Sequence, residues 1–219
     1  MSERKKSSEK IYEFRGNGYV LFYRFEEEFI RLETFLPENL KNNYSRGLGA
    51  VLYMNYTKSP IGPYEELIFI PGKFNYRGKK NHFISKSYVS TEEAVKFGNE
   101  NWFIPKEKAD FSRKSLKNSI ENISMYVNNE EVACFELKKG KFKFKIGTSK
   151  YLFFSLMQLK GEEPVKLNYS GSVTANFAKL TSIRVRPAFF PNIAQFSPFV
   201  AFKMKNFTLR LPNNTQKED

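Results

Sequence analysis

The sequence predicts a mainly β protein with one or two short helices. Apolar residues alternate, or run in short pieces bounded by Gly, Pro and Asn, which is the period of strands. Only one segment carries a full helix-start signature, Ser90-Thr91-Glu92-Glu93. With 219 residues, 41% apolar and 16% aromatic, the chain is long and apolar enough to bury a core without disulfides.

Taken in order, strands are expected at Tyr19 to Phe25, Gly49 to Tyr56, Leu67 to Ile70 and Phe83 to Val89. Further strands follow at Ile120 to Val127, Val132 to Leu137, Phe142 to Ile146, Tyr151 to Leu159, Leu180 to Val185 and Phe199 to Leu209. Asn128 and Asn129 supply the positive φ of a two-residue hairpin turn between two of them. Pro37 favours a helical turn over Glu38-Asn39-Leu40, because proline is tolerated in a first turn. Ser90 is the expected cap of a helix from Thr91 to about Asn101. No repeat or linker interrupts the chain, so one domain is expected over 10–211, with polar, disordered tails at 1–9 and 212–219.

Composition narrows the chemistry. One cysteine, Cys134, and one histidine, His82, exclude an intrachain disulfide, Cys-based zinc sites, His-pair metal sites and the usual Ser-His triads. No metal and no cofactor is expected, and His82, in a basic stretch, reads as a surface loop residue. The opening MSERKKSSEK lacks the apolar core of a signal peptide, and no later stretch is long enough to span a membrane. A cytoplasmic location with no membrane partner is the expectation. The net charge of +13 would suit a polyanion. In Leu137 to Gly147, alternation puts Lys141, Lys143 and Lys145 on one face and Phe142, Phe144 and Ile146 on the other. Arg184 and Arg186 could extend such a basic groove. Stacking aromatics would have to share the lysine face, so the stretch reads as a solvated strand and no nucleic-acid partner is expected.

Two stretches are denser in chemistry. Gly62-Pro63-Tyr64-Glu65-Glu66 makes a tight turn before the apolar LIFIP and leaves a carboxylate at its mouth. Gly98-Asn99-Glu100-Asn101-Trp102-Phe103-Ile104-Pro105-Lys106 ends a helix and delivers a lysine after three apolar residues and a proline. Such a lysine can lay its stem on apolar surface with its charge in water. Alternatively Trp102, Phe103 and Ile104 desolvate the amine, the environment that makes a lysine nucleophilic.

In these two blocks the chain resembles the acetoacetate decarboxylase family, whose pattern is Gly-x-Tyr-x-Glu followed some forty residues later by Gly-x-Glu and Pro-Lys. Here these are Gly62, Tyr64 and Glu66, then Gly98, Glu100, Pro105 and Lys106. The resemblance is specific from about Val51 to Lys106 and loose beyond it. It implies a closed, cone-like antiparallel β-barrel with an internal pocket, assembled into homo-oligomers, and a small carbonyl or 3-oxo acid as substrate. Lys106 matches the Schiff-base lysine and Glu66 the active-site glutamate that would orient or protonate the enamine. Tyr64, Trp102, Phe103 and Val51 are the expected substrate-binding residues. The implied activity is that of a carbon–carbon lyase, by decarboxylation or an aldol or dehydration step. The alternative is a small-molecule-binding barrel that has lost this chemistry. Three departures motivate the alternative. Glu107 replaces a second lysine, and Val51 stands where the family has a strand glutamate. The family's substrate-holding arginine aligns near Asn17, with Arg15 and Arg24 close by.

Overall fold

A computed structural model describes residues 10–146 and 154–213. The tail expected at 1–9, residues 214–219 of the tail expected at 212–219, and residues 151–153 of the strand expected from Tyr151 lie outside the described residues, while Pro212 ends a strand. In chain order the elements are β1 (Ile11–Tyr23), α1 (Glu27–Glu33), α2 (Glu38–Lys41), β2 (Gly49–Lys58), β3 (Tyr64–Ile70), β4 (Lys73–Tyr76), β5 (Lys79–Phe83) and β6 (Lys86–Val89). Then come α3 (Glu92–Trp102), β7 (Lys106–Lys108), β8 (Asp110–Ser115), β9 (Ile120–Val127), β10 (Glu130–Ile146), β11 (Leu156–Lys160), β12 (Glu163–Leu167), β13 (Ser170–Val185) and β14 (Val200–Pro212).

Ten strands form one sheet in the order β7-β6-β3-β2-β1-β14-β13-β10-β9-β8. Its two edge strands, β7 and β8, follow one another in the chain with only Ala109 between them, so the sheet curls into a nearly closed barrel. Contacts between strands distant in sheet order identify the interior. Tyr53 on β2 packs on Phe111 of β8 at 6.3 Å, and Lys203 on β14 pairs with Glu121 of β9. Helix α3 lies against the other face of the wall, while a second sheet, β12-β11-β5-β4, contributes to both sides, with Leu156 and Leu167 on that face and Phe74, Phe83 and Met157 in the cluster that fills the barrel.

Alternation along the central strands therefore fills two cores. Tyr19, Leu21 and Tyr23 of β1, with Val51 and Tyr53 of β2, point into the barrel. Val20, Phe22, Met54 and Tyr56 face the opposite way, toward the covering layer. The mainly β class holds, and the Asn128-Asn129 turn has φ values of 51° and 64° between paired Val127 and Glu130.

Several local expectations need correction. The strand expected over Phe83 to Val89 is two strands in different sheets, divided at Ile84 and Ser85. The helix cap is Thr91, whose hydroxyl accepts from the Ala94 amide at 3.2 Å; the Ser90 hydroxyl instead accepts from the Glu65 amide at 2.8 Å, tying the turn to β3. Helix α1 was not expected, yet Glu27 and Glu28 in its first turn and Arg31 in its last complement the helix dipole, while Phe29 and Ile30 are buried. His82 is no surface residue: it lies on β5, 4% exposed, with its ring 4.6 Å from that of Phe154. Near the end of β10 the register jumps between Lys139 and Lys143, because the Asn176 side-chain amide reaches the carbonyls of Gly140, Lys141 and Phe142. The bulge breaks the alternation, and Phe142 stands 81% exposed among the lysines instead of on the opposite face.

Candidate active site

Helix α3 and the turn after it place Lys106. The helix stops at Phe103, which adopts left-handed φ of 57°, and the amides of Phe103 and Ile104 bond to the carbonyls of Asn99 and Gly98. The Asn99 side chain then accepts from the Lys106 amide at 3.2 Å. β7 leaves this turn parallel to β6, with Lys106 beside Ser87. The lysine stem runs directly over Gly98, where an added Cβ would lie 2.4 Å from its Cδ. This is a physical reason for glycine at that position: any side chain would occupy the path of the amine.

From there Lys106 reaches across β6 to β3, and its Nζ lies 2.8 Å from Oε1 of Glu66, with the side chains 5% and 3% exposed. The same oxygen accepts from the Ser87 hydroxyl at 2.8 Å, and Oε2 accepts from the Tyr56 phenol at 3.0 Å. A buried carboxylate with two hydroxyl donors and a lysine counter-ion is held in one orientation. Tyr64 completes the group, its ring 4.5 Å from Tyr56 and 5.6 Å from the Lys106 amine. Burial, and then the Glu66 charge, push both phenols well above the usual tyrosine range, so they stay protonated as donors.

This group forms one end of a cavity of about 140 Å³ whose walls are almost wholly apolar, including Phe14, Leu52, Ile68, Phe154 and Met204. The cavity lies between the barrel wall and its covering layer, across the wall from the side chains that fill the barrel. Of the expected site residues, Lys106, Glu66, Tyr64 and Trp102 line it together. Trp102 is fixed there by its indole N–H, which donates to the Pro212 carbonyl at 3.0 Å.

Val51 and Phe103 are not brought to it. Val51 points into the barrel, because Glu66 pairs in register with Met54 and the even-numbered residues of β2 share its face. Phe103 is turned away by its left-handed backbone, and its ring lies 5.7 Å from the Lys160 amine. The pocket-facing residues of β2 are Leu52, Met54 and Tyr56, none a carboxylate. Glu107 points outward and pairs with Lys86 at 2.6 Å, so its charge is directed away from Lys106. Tyr56 and Ser87, both bonded to Glu66, were not anticipated.

A family model described as acetoacetate decarboxylase matches residues 1–208. There is no significant match among curated protein sequences. Solved structures with a similar fold include acetoacetate decarboxylase from Legionella pneumophila, at 14% identity, TM-score 0.64, covering 94% of this chain and 86% of that one. The enduracididine biosynthesis enzyme MppR complexed with pyruvate aligns at 10% identity and TM-score 0.60, over 96% of this chain and 91% of that one. An acetoacetate decarboxylase-like enzyme from Sphingomonas wittichii RW1 aligns at 11% identity and TM-score 0.59, over 97% and 96%.

Proposed function

Because the chain belongs to the acetoacetate decarboxylase family, we propose that it forms a Schiff base between Lys106 and a small carbonyl compound, with Glu66 as the proton carrier. The observation that carries this reading is the buried pair of Lys106 and Glu66 lining a mostly apolar cavity. Glu66 takes a proton from the ammonium across the 2.8 Å contact, and the freed amine attacks the carbonyl carbon. The carbonyl oxygen leaves as water. Ammonium plus carbonyl gives protonated imine plus water, so the charge of the pair is the same before and after. The imine then draws electrons from the neighbouring carbon, where a C–C or C–H bond breaks to give an enamine, and Glu66 returns or removes the proton. The phenol of Tyr56 and the hydroxyl of Ser87 hold the carboxylate in place through these steps.

A carbon–carbon lyase is the enzyme class that follows. The second reading, a binding barrel without the chemistry, is favoured by the apolar and phenolic residues of β2 where the family has a glutamate. A cytoplasmic homo-oligomer working without metal or cofactor accompanies the first reading; light scattering of the purified protein tests its assembly.

The deciding experiment is incubation with pyruvate, acetoacetate and a neutral methyl ketone, each followed by sodium borohydride and peptide mapping by mass spectrometry. An adduct confined to Lys106 supports the Schiff base. If all three ketones leave the lysine unmodified, the binding reading replaces it.

A further inference from the structure

We infer that the pocket takes an uncharged carbonyl compound with an apolar chain, not an oxo acid anion; this rests on the Schiff-base reading of Lys106. Among the described residues lining the cavity, Lys106 and Glu66 are the only pair of opposite ionised groups, and they neutralise one another at 2.8 Å. Glu66 is already bonded to Tyr56, Ser87 and Lys106. The charge of the imine that replaces the ammonium remains committed to the same carboxylate.

A substrate carboxylate would therefore enter as a net negative charge, and no described residue lining the cavity offers it an uncommitted cation. Taking an unpaired carboxylate out of water into apolar surroundings is strongly unfavourable. The basic side chains near the alignment with the family's arginine are engaged elsewhere. Arg15 is paired with Glu13 on the surface, and Arg24 lies over the ring of Phe199. Asn17 uses its side-chain oxygen to accept the Asn206 amide.

The remaining described wall is mostly apolar, with Leu52, Ile68, Phe154, Leu167 and Met204, interrupted by the side chains of Tyr169, Ser172 and Thr208. A cavity near 140 Å³ is the size class that holds one benzene-like molecule. A methyl ketone or aldehyde with a short hydrocarbon chain fits both size and polarity. The reaction step balances without an acid group: ammonium and ketone give protonated imine and water. Glu66 then removes one proton from the carbon next to the imine, leaving a neutral enamine ready to add to a second carbonyl compound.

The test compares 2-hexanone with 4-oxopentanoate, a neutral and an anionic methyl ketone of similar length, neither of which loses carbon dioxide spontaneously. The borohydride-trapped fraction of Lys106 is measured against ketone concentration, and the thermal midpoint of the unmodified protein is measured with each ketone. The expected result is half-saturation at a concentration at least about tenfold lower for 2-hexanone. Equal or tighter trapping of 4-oxopentanoate overturns the inference and leaves the Schiff base standing. No adduct from either, with a saturable thermal shift from 2-hexanone alone, overturns the Schiff base and keeps the neutral pocket. No adduct and no shift overturns both.

Discussion

Gly98→Ala tests how the amine is aimed. The added Cβ would lie 2.4 Å from Cδ and 2.5 Å from Cε of Lys106, and the stem must give way by about 1 Å to restore ordinary contact. The lysine side chain is 5% exposed, so the displacement passes to Nζ and lengthens a 2.8 Å contact with Glu66. A misplacement of about 1 Å at a reacting group costs roughly a hundredfold in rate, or about 2.7 kcal/mol of barrier. Stability should move little, because alanine gains up to about 1 kcal/mol over glycine inside a helix and offsets part of the strain. The assay is the pseudo-first-order rate of borohydride-trapped adduct at Lys106 with 2-hexanone, alongside a denaturant midpoint. The expected outcome is a rate near one hundredth of the parent's with a midpoint close to it. A rate within threefold of the parent's would show that Gly98 does not position the amine.

Three further outcomes are expected. Lys106→Met and Glu66→Gln should each lower unfolding free energy by about 3–5 kcal/mol, because each strands a buried partner, and the double variant should lose less than their sum in urea titrations. Tyr56→Phe should cost about 2 kcal/mol by removing the donor to Glu66 Oε2 while keeping the ring packed against Tyr64, again read by urea titration. The His82 pKa is lowered from 6.5 to about 4 by burial, so the folded state refuses a proton that the unfolded chain accepts. His82 thus supports stability fully above about pH 6.5 and loses roughly 3 kcal/mol as pH falls toward 4. His82→Phe should flatten that part of the stability–pH curve, and an unchanged slope in thermal scans across pH 4–7 would refute it.

What the sequence shows of this site, and what it hides, comes down to where neighbours are set by the chain and where by the sheet. A turn and a helix end mark Glu66, Trp102 and Lys106 locally as a carboxylate, an indole and a lysine in apolar surroundings, and it is the family resemblance that joins Lys106 and Glu66 into one site. Tyr56 and Ser87 join the site only through pairing, Tyr56 opposite Tyr64 and Ser87 between the strands of Glu66 and Lys106. Part of the signal for Tyr56 was available: counting outward from the 59–63 turn puts the even residues of β2 on the side of Glu66, and the register then sets Tyr56 opposite Tyr64. The same count removes Val51, which a sequence alignment without register cannot do. Phe103 is different, since nothing in Trp-Phe-Ile-Pro announces a left-handed phenylalanine. The mainly β class followed from period-two runs and the barrel from the family resemblance, but the β10 bulge depends on Asn176, more than thirty residues away, and no local pattern encodes it.

Glu65 and Glu66 are consecutive residues with separate fates: Glu65 bonds to Tyr53 on the barrel side, Glu66 to Lys106 on the other. The wall is one strand thick and apolar on both faces, so it works as a partition with independent compartments. Leu52, Ile68 and Met204 can be varied to reshape what the pocket accepts while the barrel filling stays untouched, which gives a designer a specificity library separable from a stability library. The same partition makes length changes in the 59–63 turn the most hazardous edits in the chain. A one-residue slip of β3 would hand Lys106 the wrong glutamate and exchange the contents of both compartments at once.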